Sequence, residues 1–142
     1  MPGRCNFPKK RLPAGDDAGG FRSRHSREQK HAALARGRSG EWLAAWMLRA
    51  KGYRIVERNF RCKLGEIDII ARKRDAIVFV EVKARDEMGD AVDAVGVMTQ
   101  RRIANAANIW IGRQPNAHLL SWRFDIIAVP RVGIPRHFPD AF

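Results

Sequence analysis

Hydrophobic positions along the chain fall into blocks of two periods. Within EWLAAWMLRAKG (41–52), apolar residues recur at helical spacing. Trp42, Leu43, Trp46, Met47 and Ala50 are the predicted buried face, and Gly52 is the predicted stop. Ser26 followed by Gln29 has the form of a capping box, which predicts a helix from Ser26 to about Lys51; Gly37 and Gly40 mark where it can break in two. Beyond Gly52 the period shortens to two. YRIVERNF (53–60), EIDIIAR (66–72) and AIVFVEVKAR (76–85) read as strands, separated by RCKLG and by the charged turn KRD. DEMGDAVD (86–93) reads as an acidic loop. Ile103, Ala106, Ala107, Trp110 and Ile111 mark a second helix, from a Thr99 N-cap to Arg113, and WRFDIIAV (122–129) is a fourth strand. The order α-β-β-β-α-β predicts a small α/β domain whose first three strands form a meander. Residues 1–25 mix Pro, Gly, Arg and Asp without an apolar period and read as a flexible basic arm. The folded domain is expected over 26–130, and residues 131–142, with two prolines, as an irregular tail.

Charge changes this picture most. The 142 residues carry a net +12, with nine basic against three acidic residues before Gly37 and eighteen against twelve after it. Both parts are therefore basic, which favours a polyanionic partner such as nucleic acid. Two cysteines, Cys5 and Cys62, are too few for a disulfide framework and stand in no zinc-binding spacing. No apolar run approaches the roughly 20 residues that span a bilayer, and the N-terminus lacks the apolar core of a secretory signal. A cytoplasmic protein without a membrane partner is the expectation.

The candidate chemistry lies in GEIDIIARKRDAIVFVEVKAR (65–85), where carboxylates interrupt aliphatic strands. Buried acids are costly unless paired. Strand alternation puts Glu66 and Asp68 on one face, and Phe79, Glu81 and Lys83 on one face of the next strand. With Lys73 to Ala76 left unpaired as the turn, Asp68 is predicted opposite Glu81, and Glu66 opposite Lys83. Opposed side chains have Cβ atoms about 4.5–5.5 Å apart, so two carboxylates there repel unless a cation lies between them. A hard divalent ion, Mg²⁺ or Mn²⁺, answers that repulsion through oxygen ligands. Asp68 and Glu81 are the predicted ligands, with the Val82 carbonyl as a third and Glu41 as an outer ligand or base. Lys83 supplies positive charge to a phosphate and Gln100 steadies a water or a phosphate, a set suited to phosphodiester hydrolysis. The competing reading is a structural ion-pair network at a strand edge. Arg61, Lys63, Arg72, Lys73, Arg74 and Arg85, around the hairpin, are candidate phosphate contacts. Asp125, in an apolar strand, is expected to stabilise the fold by pairing with an Arg; the four histidines have no shared spacing. Trp42, Trp46 and Trp110 are expected in the core.

Asp68 followed by Glu81-Val82-Lys83 on the next strand resembles the PD-(D/E)xK nuclease motif. The longer series GRSGE (37–41), GYRIVERNFRCKLGEIDIIA (52–71), VFVEVKAR (78–85) and RFDIIAV (123–129) resembles the YraN-like family of small bacterial proteins, akin to archaeal Holliday-junction resolvases. The resemblance implies a restriction-endonuclease-like mixed sheet flanked by helices, with Glu41, Asp68, Glu81 and Lys83 on active-site positions. It also implies a DNA substrate, branched or single-stranded, and raises the expectation of a homodimer.

Overall fold

The computed structural model describes residues 37–84 and 95–142. Helix α1 covers 37–50 of these and ends at Gly52, whose left-handed backbone (φ 83°) lets Tyr53 N–H return to the Leu48 carbonyl at 2.9 Å. Then follow β1 (Arg54–Cys62), β2 (Gly65–Lys73), β3 (Ala76–Ala84), α2 (Val97–Gly112), a short 3-10 turn (Ala117–Leu119), β4 (Ser121–Val129) and β5 (Arg136–Phe138). The strands form one mixed sheet in the order β1-β2-β3-β4-β5. β1, β2 and β3 form the expected antiparallel meander, β4 runs parallel to β3 after the α2 crossover, and β5 is antiparallel to β4. This is an α/β fold with the two helices packed against the sheet.

Each helix covers one face of the sheet. Ile103, Ala106, Ala107, Trp110 and Ile111 of α2 pack on Phe60, Ile67, Ile70, Ile77, Phe79 and Ile126. Ala44, Ala45 and Leu48 of α1 pack on Ile69, Ala71, Val78, Val80, Ile127 and Val129. Covering both faces accounts for the unbroken buried run Ile77–Val80 in β3, a pattern typical of strands with no solvent-facing side.

Several expectations are corrected. The sheet-facing side of α1 is Gly40, Ala44, Ala45 and Leu48. Trp42 and Trp46 are exposed, as is Ala50, while Leu43 and Met47 are half-buried. A Cβ on Gly40 would rest on Val82 and Val129 at 3.9 Å, an ordinary contact distance, so this side of α1 lies directly on the sheet. α2 begins at Gly96–Val97 without a side-chain cap, so Thr99 is not its N-cap. The β2–β3 turn leaves two residues unpaired, because Lys73 pairs with Ala76, and Arg74 takes a left-handed backbone (φ 56°). The tail is not wholly irregular, since it contributes β5, and Ala141 N–H reaches the Phe124 carbonyl at 2.8 Å. The capping box at Ser26, the acidic loop and Arg85 lie outside the described residues.

Candidate active site at the fork between β2 and β3

The β2–β3 ladder runs from Lys73↔Ala76 to Ile69↔Val80 and stops there. Further along, β2 continues paired with β1 as far as Gly65, and β3 continues paired with β4 as far as Ala84. The sheet therefore forks immediately past Ile69, and Asp68 is the first residue beyond the split. Its Oδ2 accepts the Val82 N–H at 2.8 Å, so a side chain replaces the backbone acceptor that the departing strand no longer offers.

Strand faces change at the same level. Ile67 and Ile69 should share a face by alternation, yet Ile67 packs under α2 and Ile69 under α1. Opposite, in β1, Asn59 stands between the pairs Arg58↔Ile69 and Phe60↔Ile67 with a left-handed backbone (φ 53°), a conformation Asn tolerates better than most residues. Glu57 then faces α2, where its Oε2 accepts the Trp110 indole N–H at 2.8 Å. Arg58 takes the other face, its guanidinium 3.8 Å from Glu41 Oε2.

Four of the predicted site residues meet at this fork. Lys83 Nζ donates to Glu81 Oε1 at 2.7 Å, and both side chains are largely buried. Asp68 is close enough to Glu81, Glu41 and Lys83 to feel all three charges. Burial, then repulsion from Glu81 and a smaller push from Glu41, raise the Asp68 carboxyl from 3.8 to about 7, against the opposing hydrogen bond from Val82 and the charge of Lys83. Glu41 follows Gly40, the point where α1 lies against Val82 and Val129.

Among the described residues, no three His, Cys, Asp or Glu side chains converge as a ready metal cage. The donor set at the fork nevertheless fits Mg²⁺, which commonly uses one or two carboxylates and completes its shell with water and substrate phosphate. A carboxylate has about four acceptor sites, so the single bond from Val82 leaves Asp68 able to ligate. Its crowding by Glu81 is the repulsion that a cation relieves.

The remaining candidates are dispersed. Gln100 donates its amide to the Val95 carbonyl at 2.9 Å and so ties the start of α2 to the residue before it. Glu66 does not face Lys83; it pairs with Arg61 on β1 at 3.4 Å, in solvent. Arg61 and Lys63 lie at the β1–β2 turn. Arg72, Lys73 and Arg74 lie at the other end of β2, roughly 25–30 Å away at ~3.3 Å per residue, so the basic residues do not form one patch. Arg72 is folded onto the Arg74 carbonyl (2.7 Å), and Lys73 binds the Lys51 carbonyl (2.8 Å) over the Tyr53 ring.

A second polar cluster went unread apart from the expected arginine partner. Asp125, fully buried, accepts from Arg123 Nε (2.8 Å), is joined to His137 Nε2 (2.7 Å) and accepts from Asp140 N–H (2.9 Å). Burial pushes its carboxyl up, but His137, Arg123 and the Asp140 N–H together hold it below the usual carboxylate value. Arg123 also reaches the Tyr53 hydroxyl, and Lys51 Nζ lies 3.2 Å from His137 Nδ1. Arg58, the partner of Glu41, was likewise missed. Its only signal is a cation inside a predicted strand.

No helix among the described residues is long and apolar enough to cross a membrane. The model of a family described as "Uncharacterised protein family UPF0102" matches residues 40–129. A UPF0102 protein of Rhizobium etli is 54% identical over 113 residues, covering 80% of this chain and 93% of that one. Similar proteins in Agrobacterium fabrum (50% over 114 residues; 80% and 93% covered) and Chelativorans sp. (48% over 114; 80% and 89%) match the same share of this chain. The YraN-like resemblance in the sequence is to this family.

Proposed function

The chain belongs to the uncharacterised protein family UPF0102, and we propose that this member is a metal-dependent endonuclease hydrolysing phosphodiester bonds in DNA. The observation that carries the reading is the fork, where Asp68 is fixed by Val82 N–H beside Glu81, and Lys83 is hydrogen-bonded to Glu81. Asp68 and Glu81 would hold Mg²⁺ or Mn²⁺, with the Val82 carbonyl as a further donor and Glu41 outside them. A divalent ion supplies Lewis acidity there, polarising phosphoryl oxygens and making the attacking water more acidic. Lys83 offers its ammonium to the negative charge that grows on the phosphate in the transition state. Glu81, holding Lys83 at 2.7 Å, keeps that ammonium aimed into the fork. The net charge of +12 supports a polyanionic substrate.

The test is cleavage of end-labelled duplex, single-stranded and four-way-junction DNA, with Mg²⁺ and with EDTA. Metal-dependent cutting that is lost in Asp68→Ala and in Lys83→Ala is the expected result. Absence of cutting on every substrate, or equal cutting by either variant, refutes it. A second reading, a nucleic-acid-binding protein that does not cut, draws on the Lys83–Glu81 ion pair at 2.7 Å, which occupies a carboxylate oxygen that a metal would use. It predicts salt-sensitive DNA binding that survives Glu81→Ala.

A further inference from the structure

The core under α1 is complete without its two largest side chains. Ala44, Ala45 and Leu48 fill the sheet side, while Trp42 and Trp46 are 58% and 59% exposed. Arg38 and Arg49, also exposed, extend the same stripe, since positions 38, 42, 46 and 49 follow one another at i+4, i+4 and i+3. The stripe contains no acid. Glu41, its neighbour in sequence, is turned to Arg58 and Asp68 instead. Two flat π-faces between two guanidinium groups form a surface for rings that carry phosphates. Base–aromatic stacking with arginine support is how single strands are bound without sequence preference. Bases inside a duplex already stack on each other, so only unpaired bases can use such a surface. Four residues of helix separate the backbone positions of Trp42 and Trp46 by about 6 Å along the axis, close to two nucleotide steps of roughly 3.4 Å in one strand. Glu41 precedes Trp42 on α1, so one helix carries both the stripe and a side chain of the fork.

We infer that Trp42 and Trp46, flanked by Arg38 and Arg49, form a stacking platform for unpaired bases, so that the DNA engaged by this protein carries a single-stranded segment. This rests on the nucleic-acid part of the function proposed above.

The test is binding of the full chain, in EDTA so that nothing is cut, to fluorescein-labelled (dT)20 and to a blunt 20-base-pair duplex. Trp42→Ala/Trp46→Ala should bind (dT)20 at least 25-fold more weakly, given roughly 1–3 kcal/mol of stacking per base at 1.4 kcal/mol per tenfold. Duplex affinity should change less than about threefold, and Trp42→Phe/Trp46→Phe should recover most of the loss by keeping a π-face. Arg38→Ala/Arg49→Ala should weaken both DNAs. The inference is overturned by equal losses on both DNAs, by no loss on (dT)20, or by a wild-type dimer that the double alanine variant dissociates in sedimentation, which would make the stripe a contact between copies. Failure of cleavage in Mg²⁺ would remove the nuclease reading and leave a selective (dT)20 loss standing. A protein that cuts DNA but binds (dT)20 equally well without the two indoles removes the platform alone.

Discussion

Asp68→Asn isolates the electrostatic conflict at the fork. Asn keeps a carbonyl oxygen for the Val82 N–H, which Asp68 now receives at 2.8 Å, and removes only the charge. In the native protein the Asp68 carboxyl is raised from 3.8 to about 7, by burial first and by Glu81 next. A raised carboxyl binds its proton more tightly in the folded than in the unfolded chain. Its contribution to stability is thus fully present below pH 4, is lost as pH rises towards 7, and stays lost above that. At 1.36 kcal/mol per pKa unit the whole interval corresponds to on the order of 4 kcal/mol, of which roughly 2–3 kcal/mol falls between pH 5 and 8. Urea unfolding in EDTA at pH 5, 6, 7 and 8 measures it directly. Relative to Asp68→Asn, the wild type should lose an amount on this order across the series, because titrating groups remote from Asp68 are common to both proteins. Mg²⁺ should then stabilise the wild type increasingly from pH 6 to 8, since ligation needs the deprotonated carboxylate, and should do far less for the variant. Stability curves that stay parallel within about 0.5 kcal/mol would refute the claim that Asp68 is held in an unfavourable charged environment.

Three further outcomes follow from single contacts. Gly65→Ala would drive a Cβ into the backbone oxygen of Arg102, so β2 or α2 must shift, and the melt should register a loss of roughly 1–3 kcal/mol or more; an unchanged melt would deny the close approach. Asp125→Ala leaves Arg123 and His137 without their buried anion, and should cost roughly 3–5 kcal/mol and open the C-terminal segment to limited proteolysis. A variant as stable and as protease-resistant as the wild type would show that the tail is held by other contacts. Lys83→Ala should slow cleavage roughly 100-fold or more while leaving the fold intact, and a rate within a few-fold of wild type would take the ammonium out of the mechanism.

The strands were legible because their apolar runs are short and are cut by polar turns. Their direction and register follow from the turn: Arg72 is paired with Ile77 as the sequence suggests. The buried side of α1 was not legible. Hydrophobicity selects Trp42 and Trp46 as the most apolar positions, whereas the side that meets the sheet is Gly40, Ala44, Ala45 and Leu48, set against Val82 and Val129 on strands some 40 and 90 residues away. β5 was hidden for a similar reason. Pro135 and Pro139 argue locally against regular structure, and what orders Arg136–Phe138 is the reach of His137 to Asp125 in β4.

The fork itself has no direct signature in an alternating pattern, and it decides which carboxylates matter. Simple extension of the register sets Asp68 against Glu81 and Glu66 against Lys83. Because the β2–β3 ladder ends at Ile69, the two residues beyond that point part company. Glu66 travels with β2 towards β1 and meets Arg61 in solvent, an exposed pair of the kind that contributes little. Asp68, at the apex, cannot leave: Val82 N–H ties it back to β3, next to Glu81 and Lys83. One local clue was present in Asn59, whose left-handed backbone lies opposite Asp68 in β1 and accompanies the change of faces there. A residue tolerant of that conformation, placed in mid-strand across from a half-buried acid, is the feature that here separates a forked, chemically crowded strand end from an ordinary hairpin with an ion pair on its edge.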